Sequence, residues 1–186
     1  FGCMPADAKR RSEANRRSRE RLLLAQKVSA QHIAVVPSPD RKDIHVLWAA
    51  ERYAEIMDMA KEFGIVAAIE FIGMLKGVHT LGQAAAIMLQ SGRPDACIVN
   101  DTFHMYRGGS DFRAVRRLQG SAFAVCHVND APAAPPRAQM KDADRVHVGD
   151  GILPLKQFFK DMASIGFRGP YSLELFSRAE WKKDPK

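Results

Sequence analysis

Three observations predict an α/β fold built on a parallel sheet. Five short apolar runs alternate with segments of helical periodicity along the 186 residues. The runs are apolar at successive positions, as expected of strands covered on both faces. Four of the five end near an acidic residue or a histidine. The length suits about one domain, able to hide roughly 70% of its unfolded surface.

The elements follow in order. Residues 5–30 read as a basic helix with Leu22, Leu23, Ala25 and Val28 toward its C-terminal end. Residues 32–37 form a β-branched apolar run closed by proline, a buried strand by the usual signals. Asp40 or Asp43 is placed to cap a second helix, whose apolar positions include Leu47, Trp48, Ile56, Met57 and Phe63, and Gly64 stops it. The second strand covers 65–73. Thr80 caps a helix through Leu89, stopped by Gly92 and Pro94. The third strand begins at Ala96, turns polar at Asn100 and Asp101, and then breaks through His104 into a loop at Gly108-Gly109. Asp111 opens a short helix closed by Gly120. The fourth strand covers 122–130, and the Pro/Ala-rich segment 131–143 is long enough to be a candidate active-site loop. Pro154 sits in the first turn of a helix to Ile165, with Phe158, Phe159 and Met162 on one face. The fifth strand covers 171–176. Residues 1–30 are thus a basic helix, 31–178 the sheet-bearing part, and 179–186 a polar tail.

Charge and cysteine content narrow the function classes. The net charge is +7, of which residues 1–27 supply +5 and the other 159 residues +2. Such a segment can meet nucleic acid or anionic lipid, but no aromatic residue interleaves with its charges. A solvated helix face is therefore preferred and nucleic acid is not the expected partner. No apolar run approaches the roughly 20 residues that span a bilayer, and Leu22–Ala25 is too short for a signal-peptide core. Cys3, Cys97 and Cys126 are odd in number and widely spaced, which fits free thiols in a reducing, cytoplasmic setting.

The chemistry lies in what the strands end with. Successive strands end near Glu70, Asp101, His127 and Glu174. If the strands form a (β/α) barrel, all four ends open on the face where such barrels do catalysis. Glu70 and Glu174 lie in apolar surroundings, where burial of an unpaired carboxylate is costly, and no lysine or arginine lies in either strand. A divalent metal resolves that cost. Three carboxylates and one imidazole suit an octahedral Mn²⁺, Mg²⁺ or Co²⁺, with Zn²⁺ a poorer fit. The bland alternative buries one of Glu70 and Glu174 against Arg145 or Arg107 and leaves the other at a solvated strand end. His104 and Arg145 suit substrate oxygens, and Asp130 suits an outer role orienting an imidazole. His32, His45 and His79 are assigned to structure or surface.

Five segments resemble the xylose-isomerase-like TIM barrels described as sugar phosphate isomerases/epimerases: Ala68-Ile-Glu-Phe, Asn100-Asp-Thr-Phe-His, Cys126-His-Val-Asn-Asp, Asp144-Arg-Val-His-Val-Gly-Asp-Gly-Ile and Gly169-Pro-Tyr-Ser-Leu-Glu-Leu-Phe. The resemblance implies a (β/α) TIM barrel whose early strands precede Phe1, so that about five βα units are visible. It implies one divalent metal, Mn²⁺ first, on Glu70, Asp101, His127 and Glu174. It implies substrate contact by His104 and Arg145. It also implies proton transfer next to a carbonyl of a sugar, sugar phosphate or inosose, with Glu70 and Glu174 as the two proton carriers and the metal holding the enediolate. A dehydratase of the dehydroshikimate or inosose type uses the same site, and an AP endonuclease is a related alternative. The endonuclease pattern places a histidine after the Asp-Arg pair, where this chain has Val146. An inactive barrel fragment is the non-enzyme alternative, since an incomplete barrel exposes two sheet edges that invite self-association.

Overall fold

The structure, a computed structural model, describes residues 8–38, 42, 44–177 and 180–184. Five parallel strands lie side by side in chain order: β1 (His32–Val35), β2 (Val66–Glu70), β3 (Cys97–Asp101), β4 (Phe123–Val128) and β5 (Tyr171–Leu173). No strand is skipped, as in an arc of a barrel, whereas a doubly wound sheet reverses its order at a switch point. The result is a curled half-barrel. Its helices are α1 (Ala8–Lys27), α2 (Val46–Lys61), α3 (Leu81–Gln90), α4 (Thr102–Gly108) and α5 (Leu155–Ser164).

The strands β2, β3 and β4 are largely buried on both faces, but what covers the two faces differs. Ala67, Ile69, Ile98, Phe123, Cys126 and Val128 join Tyr53, Ile56, Ile87, Phe158 and Met162 of the helices in the main core. The opposite, concave face carries a small cluster drawn from strands alone, Ala68, Cys97, Val99 and Ala124. The outer strands also differ from expectation. His32 and Ala34 of β1 and all three residues of β5 are exposed. Both strands are edges among the described residues, each with a partner on one side.

Local chemistry explains the boundaries. Thr80 caps α3 in a full capping box, accepting from the Gln83 amide while the Gln83 side chain accepts from the Thr80 amide. The expected caps of α2, Asp40 and Asp43, lie outside the described residues, and α2 starts after His45, whose side chain makes no capping bond. The basic charge of α1 is largely taken up by ion pairs. Arg11 pairs with Glu55 on α2 and Arg19 with Glu62 just past its end, while Arg16 and Arg17 pair with Glu13. Residues 112–117 form a 3₁₀ turn capped by Asp111.

Tyr53 of α2 ties the helix layer to the sheet. It is fully buried, and its hydroxyl lies 2.7 Å from the Ala67 carbonyl, 3.0 Å from the Cys97 carbonyl and 3.2 Å from the Cys97 amide. One hydroxyl thus bridges β2 and β3 from outside the ladder. Leaving such buried groups without their partner costs about 1–3 kcal/mol. Tyr53→Phe is expected to lower stability by that amount, read as a shift in the urea midpoint with an unchanged slope.

Candidate active site

The pleat of the sheet decides which side chains share the concave face. Residues two apart on a strand point the same way, and residues paired in register point together. Glu70 pairs with Val99, two before Asp101; Asp101 pairs with His127; His127 pairs with Ser172, two before Glu174. All four predicted residues therefore project from the face opposite the helices. A register shift makes this work. Ile98 pairs with Phe123 but Val99 pairs with Val125, so Ala124 is an extra residue in β4. With unbroken pairing Asp101 would stand opposite Cys126, and His127 would point into the helix layer.

The side chains converge. The ligand atoms of Asp101, His127 and Glu174 lie within 4.8 Å of one another, as do those of Glu70, Asp101 and His104. The two triads share Asp101. His127 Nδ1 is 3.4 Å from Glu70 Oε1 and 3.6 Å from Glu174 Oε2, and it is buried with no aligned hydrogen bond. His104 Nδ1 is likewise buried and unbonded.

Arg145 enters this group from the loop after β4. Its Nη1 donates to Asp101 Oδ2 and to Glu174 Oε2, both at 2.7 Å. Its Nη2 donates to Asp142 Oδ1 at 2.8 Å and lies 3.1 Å from His104 Nε2. The guanidinium sits 5.1 Å from the Phe103 ring centre and 5.0 Å from that of Phe176. No lysine or arginine lies in the strands of Glu70 and Glu174, and the cation comes from a loop instead. Arg145 serves Asp101 and Glu174, and its pairing with Glu174 is of the kind the bland alternative allowed. Arg107 holds the carbonyls of Ala138 and Met140 instead.

The electrostatics follow from this packing. Full burial works against ionisation of Asp101, but the neighbouring His104 and Arg145 hold its carboxyl below the usual range. Burial pushes Glu174 up, against the pull of His127 and Arg145. Burial also resists a proton on His127, and Glu70 and Glu174 outweigh it, raising that imidazole. Burial lowers His104.

Two local readings are corrected. The stretch after Asp101 is a helix and not a glycine loop. Asp101 Oδ1 caps α4, accepting from the His104 amide at 2.7 Å, and Gly109 closes it in the left-handed region at φ 84°. Asp130 does not orient an imidazole. Its Oδ1 accepts from the amides of Ala131 (2.8 Å) and Leu153 (2.9 Å), and its Oδ2 from Gly149 (3.2 Å). It braces the loop that carries Arg145. Gly151 allows this closeness, since a Cβ there would collide with Asp130 Oδ1 and the Ala131 carbonyl. The segment 131–143 holds a 3₁₀ turn at Arg137–Gln139 and runs into a second at Asp142–Asp144, which brings Asp142 to Arg145. His147 is a half-exposed loop residue 3.6 Å from Glu180.

Asn129 and Thr102 are buried polar residues that sequence reasoning passed over. Asn129 lies two after His127, the spacing that keeps a residue on the same face.

A parallel half-barrel with a carboxylate–imidazole cluster at its strand ends defines a class, and the comparisons agree. A model of the xylose isomerase-like TIM barrel family matches residues 1–186, and the chain belongs to that family. It is 32% identical over 136 residues to an inosose isomerase of Bacillus velezensis, covering 73% of this chain and 48% of that protein. It is 27% identical over 124 residues to a ketose 3-epimerase of Arthrobacter globiformis, covering 66% of this chain and 39% of the relative. A crystal structure described as IOLI protein with a binding zinc atom superposes with a TM-score of 0.87 at 24% identity, over 96% of this chain and 66% of that one. The chain spans about half the length of the inosose isomerase it matches.

Removing the Asp130 carboxylate leaves buried amides without an acceptor, at about 1–3 kcal/mol each. Asp130→Ala is expected to speed amide hydrogen exchange at Gly149 and Leu153 while leaving exchange in β2 unchanged.

Proposed function

We propose that this chain carries the reaction face of a metal-dependent isomerase or epimerase acting on a sugar or inosose by proton transfer next to a carbonyl. The observation that carries the proposal is the pair of overlapping triads sharing Asp101 at the ends of β2, β3, β4 and just past β5. Glu70, Asp101, His127 and Glu174 would hold one divalent cation. The donor set fits: three carboxylates, and an imidazole nitrogen that is buried, unbonded and turned toward two of them. Mn²⁺ is the first choice, with Mg²⁺, Co²⁺ and Zn²⁺ as alternatives. Bound there, the cation polarises a substrate carbonyl and acidifies the neighbouring C–H.

The remaining chemistry belongs to the side chains. Glu70 and Glu174 flank His127 from two different strands, so a substrate lying between them meets a carboxylate on each side. One carboxylate accepts the proton from carbon and the other returns one. The upward push that burial gives Glu174 suits a group that must carry a proton near neutral pH. His104 and Arg145 contact substrate oxygens. Arg145 is already pinned to Asp101 and Asp142, so its position is set before a substrate arrives. The curated relatives named above are isomerases and epimerases, which supports this reaction class.

The test is solvent exchange. Incubated with Mn²⁺ and candidate ketoses or inososes in D₂O, the protein is expected to place deuterium at the carbon next to the carbonyl. Glu174→Gln is expected to slow that exchange by about 10²–10⁴-fold. Loss of water without deuterium in recovered substrate would move the reading to a dehydratase, and failure to bind any divalent ion would overturn it.

A further inference from the structure

Glu174 follows directly after the least supported strand of the sheet. β5 is three residues long, exposed throughout and paired on one side among the described residues. Its ladder with β4 ends at Val128–Leu173, one residue short of Glu174. Beyond that point the Glu174 amide reaches the Val128 carbonyl at 3.3 Å. The next tie is a side chain. Asn129 Nδ2 lies 3.3 Å from the Glu174 carbonyl and also 3.3 Å from Asp101 Oδ2. One amide group therefore touches the main chain that carries one carboxylate and the side chain of the other.

Asn129 is itself held. It is fully buried, its amide donates to Thr102 Oγ1 at 3.0 Å, and that hydroxyl lies 2.7 Å from the Asn129 carbonyl and 3.0 Å from its Oδ1. Thr102 is fully buried at the first position of α4, directly after Asp101. The Thr102–Asn129 clasp thus joins the ends of β3 and β4, and the Asn129 amide extends it to β5. The donors on Asp101 fit the same picture. Its carboxylate has about four lone-pair sites. The His104 amide, Arg145 and Asn129 occupy three of them, which leaves one for a ligand bond.

We propose that Asn129, held by Thr102, is a positioning residue that sets the placement of Glu174 relative to Asp101. The amide is suited to this because it donates without bringing a charge. An aspartate of the same shape would offer only acceptors and a third negative charge beside two carboxylates. The inference rests on the proposed function insofar as Asp101 and Glu174 are taken to share one cation.

The experiment compares Asn129→Leu, Thr102→Val and Thr102→Ser with the unaltered chain by two readings, Mn²⁺ titration calorimetry and amide exchange over residues 171–177. Changes in groups that orient metal ligands cost about 10–100-fold in affinity. Asn129→Leu and Thr102→Val are expected to weaken Mn²⁺ binding by about that factor and to speed exchange at Glu174, with exchange in β2 unchanged. Thr102→Ser keeps the hydroxyl and is expected to restore both readings. Unchanged exchange at Glu174 in Asn129→Leu would overturn the inference, and so would unchanged Mn²⁺ affinity in a folded Asn129→Leu protein. If the unaltered chain binds none of Mn²⁺, Mg²⁺, Co²⁺ and Zn²⁺, the proposed function fails instead, and the exchange reading alone decides whether Asn129 holds Glu174.

Discussion

One extra residue in β4 decides the character of the strand ends. Ala124 is inserted between two pairs of the β3–β4 ladder, and every residue after it changes face. His127 thereby joins Asp101 on the concave side, and Cys126 and Val128 join the helices in the main core. The rest of the arrangement depends on that step. Glu70 and Glu174 reach His127 only because it points inward, and Asn129, two residues on, shares its face. The helix layer gains as well, since the sulfur of Cys126 packs where an imidazole would have to be desolvated.

Gathering Glu70, Asp101 and Glu174 in one small volume is electrostatically costly, and the chain offsets that cost with short-range contacts. Arg145 bridges Asp101 and Glu174 and is itself steadied by Asp142 and two aromatic rings. The α4 N-terminus does part of the same work, because the Asp101 carboxylate caps it. Asp101 thus has two duties, capping the start of a helix and serving a cluster. Local turn chemistry and the proposed site chemistry need not compete at this residue.

Much of this was legible in the residues, for reasons that can be named. The strand sites follow from β-branched and small apolar runs bounded by Gly and Pro, and the order of the strands follows from helices of crossover length between them. Glu70 and Asp101 were legible because a charged residue ending an apolar run needs a partner. The face of His127 was not, because strict alternation from Phe123, a core residue, sends His127 outward, and nothing in Phe-Ala-Val-Cys-His marks a bulge. The helix at Thr102–Gly108 was hidden because an aspartate at a strand end reads equally as a ligand or as the start of an ordinary turn. The role of Arg145 was hidden by distance, since 44 residues separate it from Asp101. Asp130 was misassigned because a histidine three residues away looked closer than the loop amides it braces.

The uneven cover of the strands has a mechanical consequence. Glu70, Asp101 and His127 stand on three interior strands whose neighbours confine them from both sides, and Glu174 follows a short strand confined from one. The cluster resembles a vice with a fixed jaw and a sliding one. Positional tolerance concentrates in a single carboxylate, while the other three groups keep their spacing.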